Sequence, residues 1–366
     1  MSCLLHRLLP SIVSSIFLVF ATTPALAQPA GARGENFLYR VIAGDTLIDL
    51  AQKYTTTSSN WTILQSLNSV EDPFRLSIGT ELKIPFSLIP ELPSPAQVSH
   101  ISGEVSVNNT PAKLEDEVAE GSNIRTGANG FITLALADGS VLSVPAASSM
   151  QIERLRVFKG TGLIDTIFSI QDGALESSVA PRATGVGRFE IRTPVSITGV
   201  RGTSLRVRAS DNGAQSEVLS GSAQLNSSQA GNATLRPNQG AAVNAHGKLL
   251  GIRPLLPAPA LTEPVRGGQG WTASFPPIPG AVSYLVRVAT DDAGHHLVSS
   301  KHFDAPDITF SASRPGTYYV IVRAVDADGV MGKDAILPFL GRTVLNSSDG
   351  SAVFSGYGEF VQLTEF

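Results

Sequence analysis

The sequence predicts a mainly β chain in three modules: a small strand–helix–helix–strand unit, an all-β middle that is β-helix-like or a sandwich, and a C-terminal β-sandwich. Three observations carry this reading. Helical periodicity is confined to a stretch near residue 50, and the chain beyond about residue 97 alternates apolar and polar positions with period two. Glycine (34) and proline (23) are frequent among the 366 residues, as short strands joined by many turns require. Two proline-rich stretches, 85–95 (PFSLIPELPSP) and 253–264 (RPLLPAPALTEP), read as extended linkers, because proline fixes its own φ and biases its predecessor to extended backbone. They delimit modules at 37–86, 97–250 and 265–345, with a tail at 346–366.

Composition narrows the function classes. Charged residues are 16% and the net charge is −4, which argues against nucleic acid as a partner. The single cysteine, Cys3, excludes a disulfide scaffold and a zinc site built from several cysteines. Residues 1–27 read as a secretory signal peptide: His6 and Arg7 precede an apolar run at 12–20, and Ala25-Leu26-Ala27 forms a small-x-small cleavage site. The expectation is export to the periplasm or cell envelope, with no cysteine and no segment of transmembrane length after residue 27.

In the first module Leu47, Leu50, Ala51 and Tyr54 fall at i, i+3, i+4 and i+7, one face of a helix that Asp45 or Thr46 can cap. A second short helix is predicted after Ser58-Ser59-Asn60, using Trp61, Leu64 and Leu67. Tyr39-Arg40-Val41 and Leu82-Lys83-Ile84 alternate as flanking strands. The ordered set Tyr39, Val41, Gly44-Asp45-Thr46-Leu47, Ala51, Tyr54, Leu67-Asn68, Pro73, Leu76, Gly79, Leu82, Ile84 and Pro85 resembles the LysM domain over the whole module. That resemblance implies binding of N-acetylglucosamine-containing glycans such as peptidoglycan, in a groove between two loops. By position these are Gly44, Asp45, Thr46 and Leu47 opposite Asp72, Pro73, Phe74 and Arg75. Backbone groups at a Gly-Asp turn suit acetamido groups, and apolar side chains suit sugar faces. Leu47 and Trp61 also read as core residues, and Asp45 also reads as a helix cap.

The middle module opens with 131–144, two alternating runs about an Asp-Gly-Ser turn. A glycine followed by alternating apolar residues recurs at 101–107, 137–144, 170–175 and 219–225, which places glycines at strand corners. Glu120-Gly121-Ser122-Asn123-Ile124-Arg125-Thr126-Gly127, Leu136-Ala137-Asp138-Gly139-Ser140, Thr193-Pro194-Val195 and Val200-Arg201-Gly202-Thr203 resemble the FecR family. Its best-known members are iron-uptake regulators with a cytoplasmic sigma-factor-binding region, a membrane helix and this domain in the periplasm. A signal peptide in place of the cytoplasmic part implies that this chain does not hold a sigma factor directly. Six arginines (182, 188, 192, 201, 206 and 208) face one acid, Glu190, over 182–208. Their alternation with Phe189, Ile191, Leu205 and Val207 predicts solvated faces of half-buried strands, and Arg201 is expected to bond backbone carbonyls at a strand corner.

In the last module Trp271 to Phe275, a Pro279-Gly280 turn, alternation over 284–289 and 317–324, and an Asp326–Gly329 turn resemble a fibronectin type III sandwich, with Tyr318 as its tyrosine corner. Such modules act as spacers or protein-binding units. Catalysis finds no support: no cysteine nucleophile follows residue 27, and neither a phosphate loop nor a G-x-S-x-G elbow occurs. His295, His296 and His302 lie near Asp291 and Asp292, but adjacent strand residues point to opposite faces, so they read as exposed loop histidines and not a metal site. The sequence therefore predicts a non-enzymatic envelope protein without cofactor or metal. It binds peptidoglycan and presents its β modules to an unidentified envelope protein. Two alternatives are a periplasmic sensor acting through a membrane partner and an accessory wall hydrolase.

Overall fold

The computed structural model describes residues 29–178, 188–229, 231–267, 270–312, 314–341, 347, 353–357 and 361. The signal-peptide segment, Arg182, the side chain of Arg201 and most of the tail lie outside the described residues.

The first module is a three-stranded antiparallel sheet, Pro29–Arg33, Asn36–Arg40 and Glu81–Pro85 in that order, covered by helices α1 (Leu47–Tyr54) and α2 (Trp61–Asn68). The strand Pro29–Arg33 extends the sheet beyond the two predicted from alternation. Helix α1 buries the predicted stripe of Leu47, Leu50, Ala51 and Tyr54, and Thr46 caps it by accepting from Asp49 N. In α2 Leu64 is buried, but Leu67 is 42% exposed, contrary to the apolar stripe read from sequence. Asn68, four residues after Leu64, takes the inward position instead. Its side chain donates to Lys83 O (2.9 Å) and accepts from Lys83 N (2.7 Å), tying the helix end to the sheet.

The stretch 85–95 is not a free spacer. Phe86 stacks on Phe158 at 4.4 Å, Ile89 is buried, and Glu91–Pro93 pairs as a strand with Arg156 to Phe158. Proline is tolerated there because edge strands need fewer donors. Phe158 and Leu163 of the middle module thus complete the core of the first.

The middle module is one continuous sheet of sixteen described strands around a single apolar core. Pairing is antiparallel except between Ile164–Ser178 and Arg188–Arg192, which resolves the two sequence alternatives toward a wrapped, sandwich-like sheet. Wrapping is achieved by three fifteen-residue strands, Ile164–Ser178, Ser196–Ser210 and Gly213–Ser227, each of which serves two partner sets. The first pairs with Ser149–Phe158 up to Asp172, then with Ala209 to Ser204 from Gly173 onward. Gly173 (φ +91°) and Gly221 (φ +78°) mark the bends, so these glycines sit within long strands and not at hairpin corners.

The C-terminal module packs a sheet of Val265–Gly267, Gly270–Ser274 and Asp307–Phe310 against a sheet ordered Leu297–Phe303, Ala281–Ala289, Thr317–Asp326, Ala335–Leu340. Trp271, Phe310, Tyr318 and Phe339 form the aromatic centre of its core. The hydroxyl of Tyr284 accepts from Ile278 N at 3.0 Å, while Tyr318 contributes a ring stacked on Phe339.

This sandwich docks on the middle module, and the contact revises two sequence readings. Arg206, expected on a solvated face, is 3% exposed beneath the sandwich and donates to Gly332 O; Arg208 donates to Gly329 O. His295 and His296 are half-buried at the same contact, not exposed: Thr133 donates to His295 O, and the His296 ring stacks on His100 at 4.9 Å. Arg188 and Arg192 do alternate with the buried Phe189 and Ile191, as read from the pattern. The second linker also docks, through buried Leu255 and the bond from Lys333 N to Leu256 O.

Candidate functional site

The two loops that the sequence pairs lie at one end of the first module, beyond Arg40 and Glu81 of its sheet. They are joined by a direct bond, Leu47 N to Pro73 O at 3.0 Å. Each predicted residue has a distinct place. Gly44 is exposed with φ +91° and empty space where a Cβ would stand, so backbone is open to approach there. Asp45 does not cap α1. Its Oδ2 accepts from Tyr39 Oη and Ile42 N, both at 2.8 Å, and locks the turn. Burial, then that bond, pushes the Tyr39 hydroxyl well above the ordinary tyrosine range, so it stays a donor. Thr46 is the cap and also donates to Asp49. The Leu47 side chain is fully buried in the core, so this residue reaches the site only through its backbone.

On the facing loop, Asp72 accepts from Phe74 N at 2.9 Å, and its carbonyl accepts from Arg75 N, forming a tight turn. Pro73 supplies the carbonyl that holds the loops together. Phe74 is 63% exposed, a large ring without cover. Ile78, further along the same loop, is 71% exposed and was not singled out by the sequence reading. No local sequence signal marks it: in an alternating stretch Leu76 and Ile78 would share a face, yet Leu76 is partly buried and Ile78 is exposed. The site is thus a rigid polar turn beside a loop that displays two apolar side chains, suited to a ligand with an apolar face and amide or hydroxyl edges.

No group of three or more His, Cys, Asp or Glu residues able to hold a metal ion occurs among the described residues. Among the same residues no helix is long and apolar enough to cross a membrane.

Comparison with known proteins places these modules. The model of the LysM domain matches residues 39–85, and that of the FecR protein family matches 122–224. No curated protein matches the chain. Two crystal structures described as a candidate anti-sigma factor from Parabacteroides distasonis align at 20% identity with TM-scores of 0.30 and 0.29, covering 36% of this chain and 59% of that one. The chain thus spans about three fifths of that protein, and likeness at this level carries no argument about its activity. By its family matches, the chain carries a LysM domain followed by a FecR domain.

Proposed function

We propose that this is a non-catalytic cell-envelope protein that binds peptidoglycan through its LysM domain and presents its FecR domain and C-terminal sandwich, docked together, to a protein partner in the envelope. The observation that supports this most is the coincidence of the LysM match with the bonded loop pair that exposes Gly44 backbone and the Phe74 ring. The glycan-contacting residues in this reading are Gly44, Asp45, Thr46 and the backbone of Leu47, facing Asp72, Pro73, Phe74 and Arg75. Export by a cleaved signal peptide would bring the chain to the compartment where this glycan is found. The seven-strand order of the sandwich, first-second-fifth against fourth-third-sixth-seventh, supports its kinship with fibronectin type III modules and a role in protein contact.

Co-sedimentation with purified peptidoglycan tests the first half. Wild-type protein is expected in the pellet, and Phe74→Ala largely in the supernatant. Wild-type protein remaining in the supernatant would remove the reading. Deletion of the LysM domain is a poor substitute, because it uncovers Phe158 and Leu163. The FecR match favours a second, regulatory reading, in which the docked modules pass a signal to a membrane protein. Crosslinking in cells followed by mass spectrometry separates the two: a membrane regulator among the captured proteins supports signalling, and structural envelope proteins alone support scaffolding.

A further inference from the structure

Where the sandwich meets the FecR module, the contact forms a partly open pocket of about 170 Å³. Arg206, Arg287 and Arg323 line it together with Glu176, Asp334 and Ser177. The three guanidiniums are 1–3% exposed. Glu176 accepts from Arg287 Nη1 at 2.7 Å and Arg323 Nη1 at 2.8 Å, and Asp334 accepts from Arg323 Nε at 2.6 Å. Arg206 donates Nη1 to Gly332 O, and its Nη2 is ion-paired with Asp334 Oδ2 at 3.5 Å without a hydrogen bond to it. Three buried donors then find no hydrogen-bond acceptor among the described residues: Arg206 Nε, Arg206 Nη2 and Arg287 Nε. The buried Ser177 hydroxyl is in the same position.

The charge count agrees with the donor count. Three guanidiniums line the cavity against two carboxylates. Glu217, the cross-strand neighbour of Arg206, takes none of its hydrogen bonds: its Oε1 accepts from Met331 N, and burial pushes its carboxyl up. A buried cation with unfilled donors is among the costliest features a fold can carry, and such groups find a counter-charge or an acceptor. Arg206 Nε and Nη2 are adjacent donors on one edge of the guanidinium, the fork that takes two oxygens of one anion.

We infer that this interdomain cavity is a binding site for a small multivalent oxyanion of the phosphate or sulfate class. It accepts the Arg206 fork and Arg287 Nε, with Ser177 as a further donor. The donors set the class: a guanidinium fork, a further guanidinium N–H and a hydroxyl suit a tetrahedral oxyanion, and the space is large enough for one with water around it. Arg206 and Ser177 belong to the FecR module and Arg287 to the sandwich, so the anion bonds both and strengthens their docking.

Equilibrium dialysis of the full chain against radiolabelled phosphate, at constant ionic strength in chloride, tests this. One phosphate per chain is expected, displaced by sulfate and not by acetate, with a melting temperature raised by about 3 °C at saturation. Arg206→Gln is expected to abolish binding. Ser177→Asp places a carboxylate among the arginines; it is expected to abolish binding while raising the melting temperature in phosphate-free buffer, an outcome a misfolded variant cannot produce. Peptidoglycan co-sedimentation of both variants stays as in wild type, which separates this inference from the glycan reading. Three results overturn it: no saturable binding at about 10 mM phosphate, displacement by acetate as strong as by sulfate, or binding retained in both variants.

Discussion

Single residues divide sharply into those whose role was legible and those set by tertiary contact. Leu47, Leu50, Ala51 and Tyr54 declared themselves by spacing, and all four are buried. Arg206 did not: its alternation with Leu205 and Val207 is the pattern of a solvated face, and only the docking of a module more than 120 residues downstream buries it. Local pattern reports which face of a strand a residue occupies, not what later covers that face. In the LysM loops, the pattern found Phe74 and missed Ile78. Both side chains are exposed, so their truncation removes ligand contact without opening a core. Phe74→Ala is therefore expected to weaken peptidoglycan binding about tenfold, and Ile78→Ala about threefold, each with an unchanged melting temperature. Binding isotherms on purified sacculi check this, and equal loss on mutating the distant, exposed Leu114 would show the effect to be non-specific. Arg323 is the opposite case. It is 1% exposed and bonded to Glu176 and Asp334, so Arg323→Met leaves half-buried Asp334 without its hydrogen-bond donor and Glu176 with Arg287 alone, and is expected to cost about 3 kcal/mol in urea unfolding. A loss below about 1 kcal/mol would mean that solvent reaches those carboxylates freely.

Elements were read correctly where one periodicity ran uninterrupted and less well where a strand had to bend. The recurring glycine of the FecR module is the clearest instance. Sequence placed each glycine at a corner between strands, yet Gly173 and Gly221 lie inside fifteen-residue strands that turn from one set of partners to another. A glycine signals positive φ, and positive φ serves a hairpin turn and a strand bend alike. The two linkers show a related ambiguity. Proline marked both as extended, which they are, but could not show that one adds a strand to the neighbouring sheet and the other packs under the sandwich. The bends give an element-scale prediction. A Cβ at Gly173 would lie 2.4 Å from the Ser148 backbone in a left-handed conformation, so Gly173→Ala is expected to destabilise by about 2 kcal/mol or more. Gly199 sits in the strand Ser196–Ser210 with open space beside it, so Gly199→Ala is expected to change stability by less than about 0.5 kcal/mol. Chemical unfolding of the pair, side by side, checks whether Gly173 is a bend or an ordinary strand residue.

For the whole molecule the decisive feature is the polar seam between the FecR module and the sandwich, because it makes their docking sensitive to pH. Burial, first of all, holds His100, His295 and His302 below the ordinary histidine range. For His100 the neighbouring His296 adds to this, against the Leu297 carbonyl and Asp291; Arg208 adds to it for His302. A base with a lowered folded pKa contributes stability that is fully present above its unfolded value near 6.5, and loses it as pH falls from there toward the folded value. A second loss follows at lower pH. Desolvation pushes Glu176 and Asp334 up, but the arginines around them outweigh it and hold both carboxyls below their usual range. Their contribution is present above their unfolded values near 4 and disappears as pH falls through the folded ones. Glu217 works in the opposite sense, since its raised pKa relieves a penalty on acidification, but it is one group against the half-buried His100 and His295 in the upper window, exposed His302 being screened by solvent. The melting temperature is therefore expected to fall by several degrees from about pH 7.5 to about pH 5.5, well above the acid range in which surface carboxylates titrate. His100→Gln keeps a donor for the Leu297 carbonyl and removes the stacked pair, so it should flatten that slope while leaving the lower loss in place. Differential scanning calorimetry of both proteins across the range decides it: a slope unchanged by His100→Gln would place the sensitivity elsewhere, and a profile flat down to about pH 5 would show that the seam does not respond to protons in that range.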